Sequence, residues 1–374
     1  MIKVLSIYGT RPEAIKMGPL CDALRKAPEI ESHVCVTAQH RELLDEVNTL
    51  FEIVPDVDLD VMRDRQSLCG IASKVIAGLE GPLRELAPDL VLVHGDTTTT
   101  ATAALAAFYC GIPVGHVEAG LRTYDMAAPF PEEANRVVVG HLAKYHFAPT
   151  KNNAANLARE GVTKGVYVTG NTVIDALKYT VRREMALPMT AGFENYIVLT
   201  AHRRENLGGP LEAICRAVRT IALSNPDVGV IYPVHPNPAV REPVYRLLSD
   251  IANVRLIEPV DAAVMHNLMS RCLFVMTDSG GLQEEAPALG KPVLVLRRET
   301  ERPEAVEAGT VRLVGTKESD IAAAAQTLLT DRVAYDAMAR AVNPYGDGEA
   351  CRRIVEAILF EHGLRESPPD KFNA

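Results

Sequence analysis

Long apolar runs are missing from this chain of 374 residues. No stretch reaches the roughly 18 uninterrupted apolar residues that a membrane-spanning helix needs, so we predict no membrane span. The short apolar start Met1–Tyr8 is predicted to be a strand rather than a signal peptide, because no small-residue cleavage site follows it. A basic surface is missing too. The formal net charge of −9 argues against a general nucleic-acid binder, whose affinity comes from positive charge.

Paired cysteines and the common nucleotide fingerprints are also absent from the sequence. The seven cysteines are dispersed without a C-x-x-C pair, which predicts a protein of the reducing cytoplasm. No Cys/His cluster has the spacing of zinc ligands, so we predict no metal. The G-x-G-x-x-G fingerprint and the P-loop are both missing, and the dehydrogenase and nucleoside-triphosphatase hypotheses therefore lose their main support.

Short apolar runs alternate with helix-like segments along most of the chain. Most of the runs are continuous rather than alternating, which is typical of parallel strands covered on both faces. A chain of this length predicts about two domains. We therefore predict an α/β fold of two doubly wound parallel-sheet domains, with a break near Asn171–Glu194, a hinge at Gly170-Asn171 and a frayed polar tail, Arg365–Ala374. The candidate strands are Lys3–Tyr8, His33–Thr37, Leu90–His94, Pro113–Val117, Lys144–Ala148, Val166–Thr169, Tyr196–Thr200, Val228–Tyr232, Val254–Ile257, Leu273–Met276, Pro292–Leu296 and Val311–Val314.

Three carboxylates stand at positions where open α/β sheets bind their ligands. Asp96 follows one apolar run, Glu118 follows the next, and Glu132 opens a later helix. Several acidic groups in one crevice indicate proton chemistry, and hence an enzyme. Taken alone, Asp96 is more simply explained as the N-cap of the helix Thr98–Tyr109. One of Glu132 and Glu133 could instead serve the dipole of a helix predicted at Glu133–Tyr145.

Two turns after predicted strands are candidates for phosphate binding. Gly9-Thr10-Arg11-Pro12 follows the first strand, and Arg11 and Lys16 would stand near the positive end of a helix. An ordinary strand-to-helix turn explains this segment equally well. His202 occupies the matching position after the first strand of the second half, beside two arginines.

A third candidate turn contains two consecutive glycines. In Thr277-Asp278-Ser279-Gly280-Gly281, Ser279 could cap a helix while the glycines let a phosphate approach the backbone amides. Glu285, one turn further on, could accept both hydroxyls of a ribose. The alternative is a plain capped helix, which the Gly-Gly pair disfavours.

Taken together, these motifs resemble the non-hydrolysing UDP-N-acetylglucosamine 2-epimerase family. The resemblance spans almost the whole chain in the family's order. It implies two Rossmann-like domains around a central cleft, the GT-B arrangement, with residues 1–170 carrying the catalytic carboxylates, 171–350 binding UDP, and 351–374 forming a helix that returns to the first domain plus a polar tail. The matching stretches include GTRPEAIKMGPL, TAQHRELLDEV, HGDTTTT, GHVEAGLRT, PFPEEANR, HRRENLG, YPVHPNP, TDSGGLQEEAPALGKPVLVLR and TERPEAVEAGT.

The same resemblance implies the reaction. UDP-GlcNAc would lose its C2 proton and UDP by anti elimination, pass through 2-acetamidoglucal, and regain UDP as UDP-ManNAc, without a cofactor or metal. The expected partners are UDP-GlcNAc, UDP-ManNAc and UDP, with no nucleic acid or membrane, and a second copy of the chain in a homodimer. The product would supply surface polysaccharide synthesis.

The family's site residues carry over to matching positions of this chain. The implied catalytic group is Asp96, Glu118, Glu132 and His202. The implied substrate-binding and UDP-binding residues are Arg11, Lys16, Arg136, His202, Met265, Ser279, Gly280, Gly281 and Glu285. A second, activating UDP-GlcNAc site would include Gln39, Glu42, Arg65, Arg204 and His235; Glu42 stands where activated relatives carry Gln.

Three other functions remain alternatives. A hydrolysing relative would release ManNAc and UDP, and a GT-B glycosyltransferase would need an acceptor site. A nucleotide-sugar sensor would bind without turnover, but binding alone does not require four ionisable groups.

Overall fold

Apolar strands that alternate with helices form two parallel sheets in the computed structural model of the chain. The structure describes residues 1–37, 41–61 and 66–373, and at 41–43 it describes the backbone alone. The chain divides into two compact units. Unit 1 comprises Met1–Tyr179 and Tyr345–Ala374, and unit 2 comprises Thr180–Pro344. The predicted fold class, two doubly wound parallel-sheet α/β domains, is confirmed.

Unit 1 contains a seven-stranded sheet in the order β3-β2-β1-β4-β5-β6-β7. Its strands are β1 Ile2–Tyr8, β2 Ile30–Val36, β3 Val57–Asp58, β4 Leu90–His94, β5 Val114–Val117, β6 Tyr145–Ala148 and β7 Val166–Val168. Its helices are α1 Arg11–Lys26, α2 Arg41–Leu50, α3 Leu68–Leu86, α4 Thr98–Tyr109, α5 Glu132–Leu142, α6 Lys151–Arg159, α7 Thr172–Thr180, which ends at the boundary of the unit, and, near the end of the chain, Ala350–Glu361.

Unit 2 repeats this topology with six strands in the order β10-β9-β8-β11-β12-β13. Its strands are β8 Asn195–Thr200, β9 Val228–Pro233, β10 Val254–Ile257, β11 Val275–Thr277, β12 Val293–Val295 and β13 Val311–Leu313. Its α-helices are α8 Gly209–Ser224, α9 Pro238–Leu248, α10 Ala262–Arg271, α11 Leu282–Ala288, α12 Pro303–Glu307, α13 Glu318–Thr330 and α14 Arg332–Ala339, which makes Ala350–Glu361 α15; short 3₁₀ turns lie at Pro188–Thr190 and Arg204–Asn206.

The strand order reverses once in each unit, and this feature positions the candidate site. In unit 1 the reversal lies between β1 and β4, and in unit 2 between β8 and β11. The crevice at the carboxyl ends of such a pair is where open α/β sheets bind ligands. The loops that follow β1, β4, β8 and β11 are therefore the expected ligand-binding segments.

Local sequence explains why these elements form. Every residue of β4 is buried, which matches its unbroken apolar run. At the start of α1, Thr10 accepts from the Glu13 amide and the Glu13 side chain accepts from the Thr10 amide. This reciprocal capping box satisfies amides that a helix start leaves unpaired.

Most predicted strand boundaries agree with the structure within two or three residues, but some predictions were wrong. The two-residue strand β3 was missed. The helix predicted at Glu133–Tyr145 begins at Glu132 and ends at Leu142, because β6 starts at Tyr145. The observed unit boundaries, 179–180 and 344–345, also differ from the predicted 170 and 350, so the hinge expected at Gly170-Asn171 lies inside unit 1.

The polar tail is docked, not frayed as predicted. Phe372 is only 5% exposed, and its amide donates to the Val168 carbonyl of β7. The Arg353 guanidinium lies 5.6 Å from the centre of the Phe372 ring and pairs with Asp370. Composition alone missed this contact because, of the described tail residues, only Pro369 and Phe372 are buried, and the residues around them are mostly charged or polar.

All seven cysteines lie in the described residues and are free thiols. Within the described part of the chain, none of the helices has the length and apolar character needed to cross a bilayer.

Candidate active-site residues

Glu118 lies directly after β5, and among the described residues its carboxylate lies close to the side chains of Lys16, Asn171 and His94. Both of its carboxylate oxygens accept from the Lys16 ammonium, at 2.7 and 2.8 Å, and the Asn171 amide donates to Oε1 at 3.2 Å. The His94 ring nitrogen Nε2 stands 3.1 Å from Oε2. The Glu118 side chain is 8% exposed, and its backbone adopts the left-handed φ of +64°. Such strain in a non-glycine residue is typical of functional sites.

Asp96 follows β4 and pairs with a cation from α5. Its Oδ2 accepts from the Arg136 guanidinium at 2.6 and 2.9 Å. Burial raises the pKa of Asp96 above its ordinary value, Arg136 opposes this rise, and the negative charge of Glu118 adds to it. The two carboxylates are therefore close enough to interact. The simple interpretation of Asp96 as a helix cap was wrong, since Thr97 is the residue that caps α4.

Glu132 and Glu133 open α5 and have different environments. Glu133 is buried, accepts from the amides of Thr123 and Tyr124, and pairs with Arg136 at 3.1 Å. Glu132 has a buried oxygen, Oε2, that meets no hydrogen-bond donor among the described residues. Glu133 therefore fixes the preceding loop, while Glu132 keeps an oxygen available for another partner.

Glu13 is a buried carboxylate that the sequence analysis did not single out. It accepts from the Gly9 and Thr10 amides and from the hydroxyls of Thr97 and Thr100. Burial raises its pKa, and these hydrogen bonds oppose the rise. Glu13 thus ties the loop after β1 to the loop after β4. The repeated threonines of HGDTTTT were the only sign of such a network in the sequence.

Gly9 allows the loop after β1 to pack closely against Thr37, which follows β2, and against Thr99 of α4. A Cβ at this position would lie 2.0 Å from the Thr37 hydroxyl and 2.8 Å from the Thr99 hydroxyl. Glycine is therefore required here by the close contact with these two hydroxyls.

His202 lies after β8 in unit 2, and its side chain is 41% exposed. Its ring stacks on that of His235, with centres 5.3 Å apart and planes inclined by 9°. Burial lowers the pKa of His202; the Asp278 carboxylate opposes this effect, and His235 and Arg203 add to it. His202 and His235, assigned to different sites from the sequence, are thus direct neighbours.

The Gly-Gly turn differs from its predicted form. Ser279 does not cap the following helix, because α11 begins at Leu282 with Gly281 at the capping position. A Cβ at Gly280 would lie 2.4 Å from the Arg302 guanidinium. The structure therefore explains this glycine by the close approach of Arg302.

Glu285 is positioned by a short chain of hydrogen bonds in unit 2. Its Oε2 lies 3.1 Å from Nε2 of His266, whose Nδ1 lies 2.7 Å from the Thr180 hydroxyl. Glu285 was predicted from the sequence, whereas His266, which stands 19 residues earlier, was not. A fixed, partly buried carboxylate of this kind is suited to accepting hydroxyl groups.

The remaining predicted residues are distributed over both units. Arg11 is the first residue of α1, and Lys16 lies further along the same helix, paired with Glu118. Met265 lies in α10, and Arg204 is exposed in a 3₁₀ turn. Gln39 and Arg65 lie outside the described residues, as does the side chain of Glu42. Within the described ranges, no group of three or more His, Cys, Asp or Glu side chains is arranged to hold a metal ion.

A family model described as UDP-N-acetylglucosamine 2-epimerase matches residues 22–359. The chain is 56% identical over 369 residues to a UDP-N-acetylglucosamine 2-epimerase of Yersinia pestis, covering 96% of this chain and 98% of that one. It is 54% identical over 374 residues to the enzyme of that name from Bacillus subtilis, with 99% and 98% coverage. The crystal structure of UDP-GlcNAc 2-epimerase from Neisseria meningitidis bound to UDP-GlcNAc is similar with a TM-score of 0.87 and 49% identity, covering 96% of this chain and all of that chain.

Proposed function

This chain belongs to the UDP-N-acetylglucosamine 2-epimerase family, and we propose that it interconverts UDP-GlcNAc and UDP-ManNAc by inverting C2 of the sugar. In this proposal a carboxylate removes the C2 proton while the bond between C1 and the diphosphate oxygen breaks. UDP and 2-acetamidoglucal form by anti elimination. UDP then adds back to C1 as a proton reaches the opposite face of C2. No water is consumed, so the proposed enzyme is a non-hydrolysing isomerase.

The observation that supports this chemistry most is the group of three carboxylates in unit 1 with different environments. Asp96 and Glu118 are paired with cations, whereas Glu132 has a buried oxygen without a donor among the described residues. The C2 hydrogen is weakly acidic, so a base whose pKa is raised is better suited to removing it. Burial raises the pKa of Asp96 in this direction. We assign proton transfer at C2 to Asp96, Glu118 and Glu132 as a group.

The second requirement is stabilisation of the departing diphosphate. We assign this role to His202, Arg11 and the Ser279-Gly280-Gly281 turn, with Lys16 and Arg136 acting on the substrate from unit 1. A cationic imidazole and guanidinium would balance the negative charge that grows as the bond breaks. Glu285 would hold the ribose hydroxyls, and the backbone near Met265 would contact uracil. No cofactor takes part in this scheme.

The experiment that tests the proposal is proton NMR of UDP-GlcNAc incubated with the protein in D2O. A new UDP-ManNAc anomeric signal with deuterium at C2 is the expected result. Free ManNAc plus UDP would identify the hydrolysing alternative. An unchanged spectrum would contradict the epimerase and leave a GT-B glycosyltransferase or a sensor.

Three finer points are part of the same proposal. We propose that the product is made in the cytoplasm for surface polysaccharide synthesis and that the protein is a homodimer, which sedimentation would test. We also propose a second UDP-GlcNAc site that includes Arg204 and His235. Because His235 stacks on His202, occupancy there would act on the catalytic histidine directly. A sigmoidal dependence of initial rate on UDP-GlcNAc is the expected signature.

A further inference from the structure

Asp278 is a buried carboxylate at the strand reversal of unit 2. Its relative exposure is 0%, and it follows β11 directly. Thr277 pairs with Thr200 in the parallel register of β11 and β8, and the two hydroxyls lie 2.6 Å apart. Asp278 therefore stands beside the start of the loop that carries His202.

The two oxygens of Asp278 are used unequally. Oδ2 accepts from the amides of His202 and Arg203 and from the Asn206 side chain, each at 2.9 Å. Among the described residues, no hydrogen bond reaches Oδ1, although this atom is also buried. An unsatisfied buried carboxylate oxygen is costly and calls for an explanation.

The His202 ring provides that explanation. Its Nδ1 lies 3.8 Å from Oδ1 of Asp278, which is longer than a hydrogen bond of about 2.7 to 3.2 Å. Catalytic hydrogen bonds are often long before substrate binds and shorten in the reacting complex. The other groups that act on the His202 imidazole, His235 and Arg203, disfavour its positive charge, whereas Asp278 favours it.

We propose that Asp278 is a positioning residue for His202: Oδ2 fixes the loop backbone, while Oδ1 accepts from Nδ1–H and directs the other ring nitrogen toward the substrate diphosphate. Asp278 itself touches no substrate in this proposal. The carboxylate holds one tautomer of the neutral ring and stabilises the imidazolium. This arrangement would let His202 carry a positive charge as UDP departs. The effect of Asp278 on kcat rests on the proposed function, whereas its effect on the His202 tautomer does not.

The kinetic test is a double-mutant cycle between Asp278→Asn and His202→Ala. Asparagine can keep the three bonds to the loop through its oxygen but cannot accept from Nδ1–H. We expect Asp278→Asn to lower kcat by more than about tenfold in the wild-type background and by less than about twofold when His202 is already alanine. Equal losses in both backgrounds would show that Asp278 serves the fold alone and would overturn the proposal.

The second test reads the ring itself by nitrogen-15 NMR of the histidines, with His202→Ala used to assign the signal. In the wild-type protein we expect neutral His202 to carry its proton on Nδ1, a measurement that does not depend on whether Asp278→Asn folds. In Asp278→Asn we expect neutral His202 to carry its proton on Nε2 and the pKa of His202 to be lower than in the wild type. The matched control is Asn206→Ala, which removes the hydrogen bond from the Asn206 side chain to Oδ2 of Asp278 and should leave the His202 tautomer unchanged.

The two tests separate the inference from the proposed function. A protein that does not epimerise UDP-GlcNAc would contradict the proposed function, yet the tautomer would still decide the role of Asp278. Wild-type His202 with its proton on Nε2, or the same tautomer in Asp278→Asn and wild type, would overturn the inference even in an active epimerase.

Discussion

At the scale of single residues, the three carboxylates of unit 1 differ in what holds them. Glu118 and Asp96 each accept from a cation, while Glu132 retains an oxygen without a donor among the described residues. Isosteric amides preserve the size of each side chain but remove its ability to take a proton. We therefore expect Asp96→Asn, Glu118→Gln and Glu132→Gln to fold and to bind UDP, and each to lower kcat by about 10² or more.

Calorimetry with UDP and the rate of C2 epimerisation test this prediction together. Glu133→Gln is a useful comparison, because Glu133 holds the Thr123 and Tyr124 amides and its loss should lower the thermal midpoint first. Wild-type turnover in all three catalytic variants would remove these carboxylates from the mechanism.

The pH dependence of activity should report the environment of Asp96. Burial raises its pKa, and Arg136 restrains that rise. A proton-accepting Asp96 must be ionised, so activity falls as pH decreases through its raised pKa. Arg136→Gln removes the restraint and should move the acidic limb of kcat/KM to higher pH. Arg159 of the same unit is exposed, and Arg159→Gln should leave the acidic limb of the kcat/KM profile unchanged. An unchanged acidic limb in Arg136→Gln would contradict the assignment of proton acceptance to Asp96.

Two glycines of unit 1 should respond oppositely to alanine. A Cβ at Gly9 would overlap the hydroxyls of Thr37 and Thr99, so Gly9→Ala should destabilise the protein by about 1–3 kcal/mol. Gly81 lies inside α3 with nothing within 4 Å of an added Cβ. Gly81→Ala should therefore stabilise by about 0.5–1 kcal/mol, because alanine is the better helix former. Urea unfolding of both variants would measure the difference in sign.

The sequence predicted where the candidate site residues lie better than it predicted their partners. Asp96, Glu118 and His202 follow apolar runs, so their place at strand ends could be read from the pattern. The pairing of Lys16 with Glu118 joins residues 102 positions apart, and that of His202 with Asp278 joins residues 76 positions apart. Such contacts depend on strand order, which local patterns do not encode.

At the scale of elements, buried parallel strands were the easiest to predict. A strand covered on both faces has an unbroken apolar run, and Leu90–His94, in which every residue is buried, was predicted with its observed bounds. The half-buried edge strand Val254–Ile257 was also predicted with its observed bounds, although Arg255 interrupts its apolar run. β3 has only two residues and therefore carries no periodic signal. The tail was predicted wrongly because most of its residues are charged or polar, and of its described residues only Pro369 and Phe372 are buried.

The docked tail should contribute measurably to stability. Phe372 is buried at the edge of β7, so Phe372→Ala should cost about 3 kcal/mol. Asp370 is more than half exposed, and Asp370→Asn should cost less than about 1 kcal/mol despite its pairing with Arg353. Thermal unfolding followed by circular dichroism would compare the two variants. Equal, small losses would show that the ring contributes little.

At the scale of the whole molecule, unit 1 contains three buried histidines on neighbouring strands. Burial lowers the pKa of His94 to about 4, of His116 to about 3 and of His146 to about 4. In the unfolded chain these rings bind protons at higher pH than in the folded chain. Each histidine therefore lowers the free energy of unfolding as pH falls from about 6.5 toward its pKa in the folded protein. Buried Glu13 and Asp175, whose pKa values burial raises, act in the opposite direction.

The variant His146→Leu isolates one of these contributions. Between pH 7.5 and 5, the wild-type protein should lose about 2 kcal/mol more stability than His146→Leu, because only the wild-type unfolded chain gains this proton. Urea unfolding at the two pH values measures the difference. The exposed His141→Gln should behave as the wild type does. Equal losses in wild type and His146→Leu would contradict the prediction.

The helix α15 is held at its start by a residue far back in the chain. Asp175 of α7 accepts from the amides of Ala350 and Cys351, at 3.1 and 3.0 Å. Unit 2 occupies the continuous stretch 180–344 between these two partners. During translation, unit 2 is therefore fully synthesised before α15, the last helix of unit 1, has been made. Although unit 1 begins before unit 2, the ribosome therefore finishes unit 2 first, and unit 1, which contains Asp96, Glu118 and Glu132, is completed only after its second segment, Tyr345–Ala374, has been synthesised.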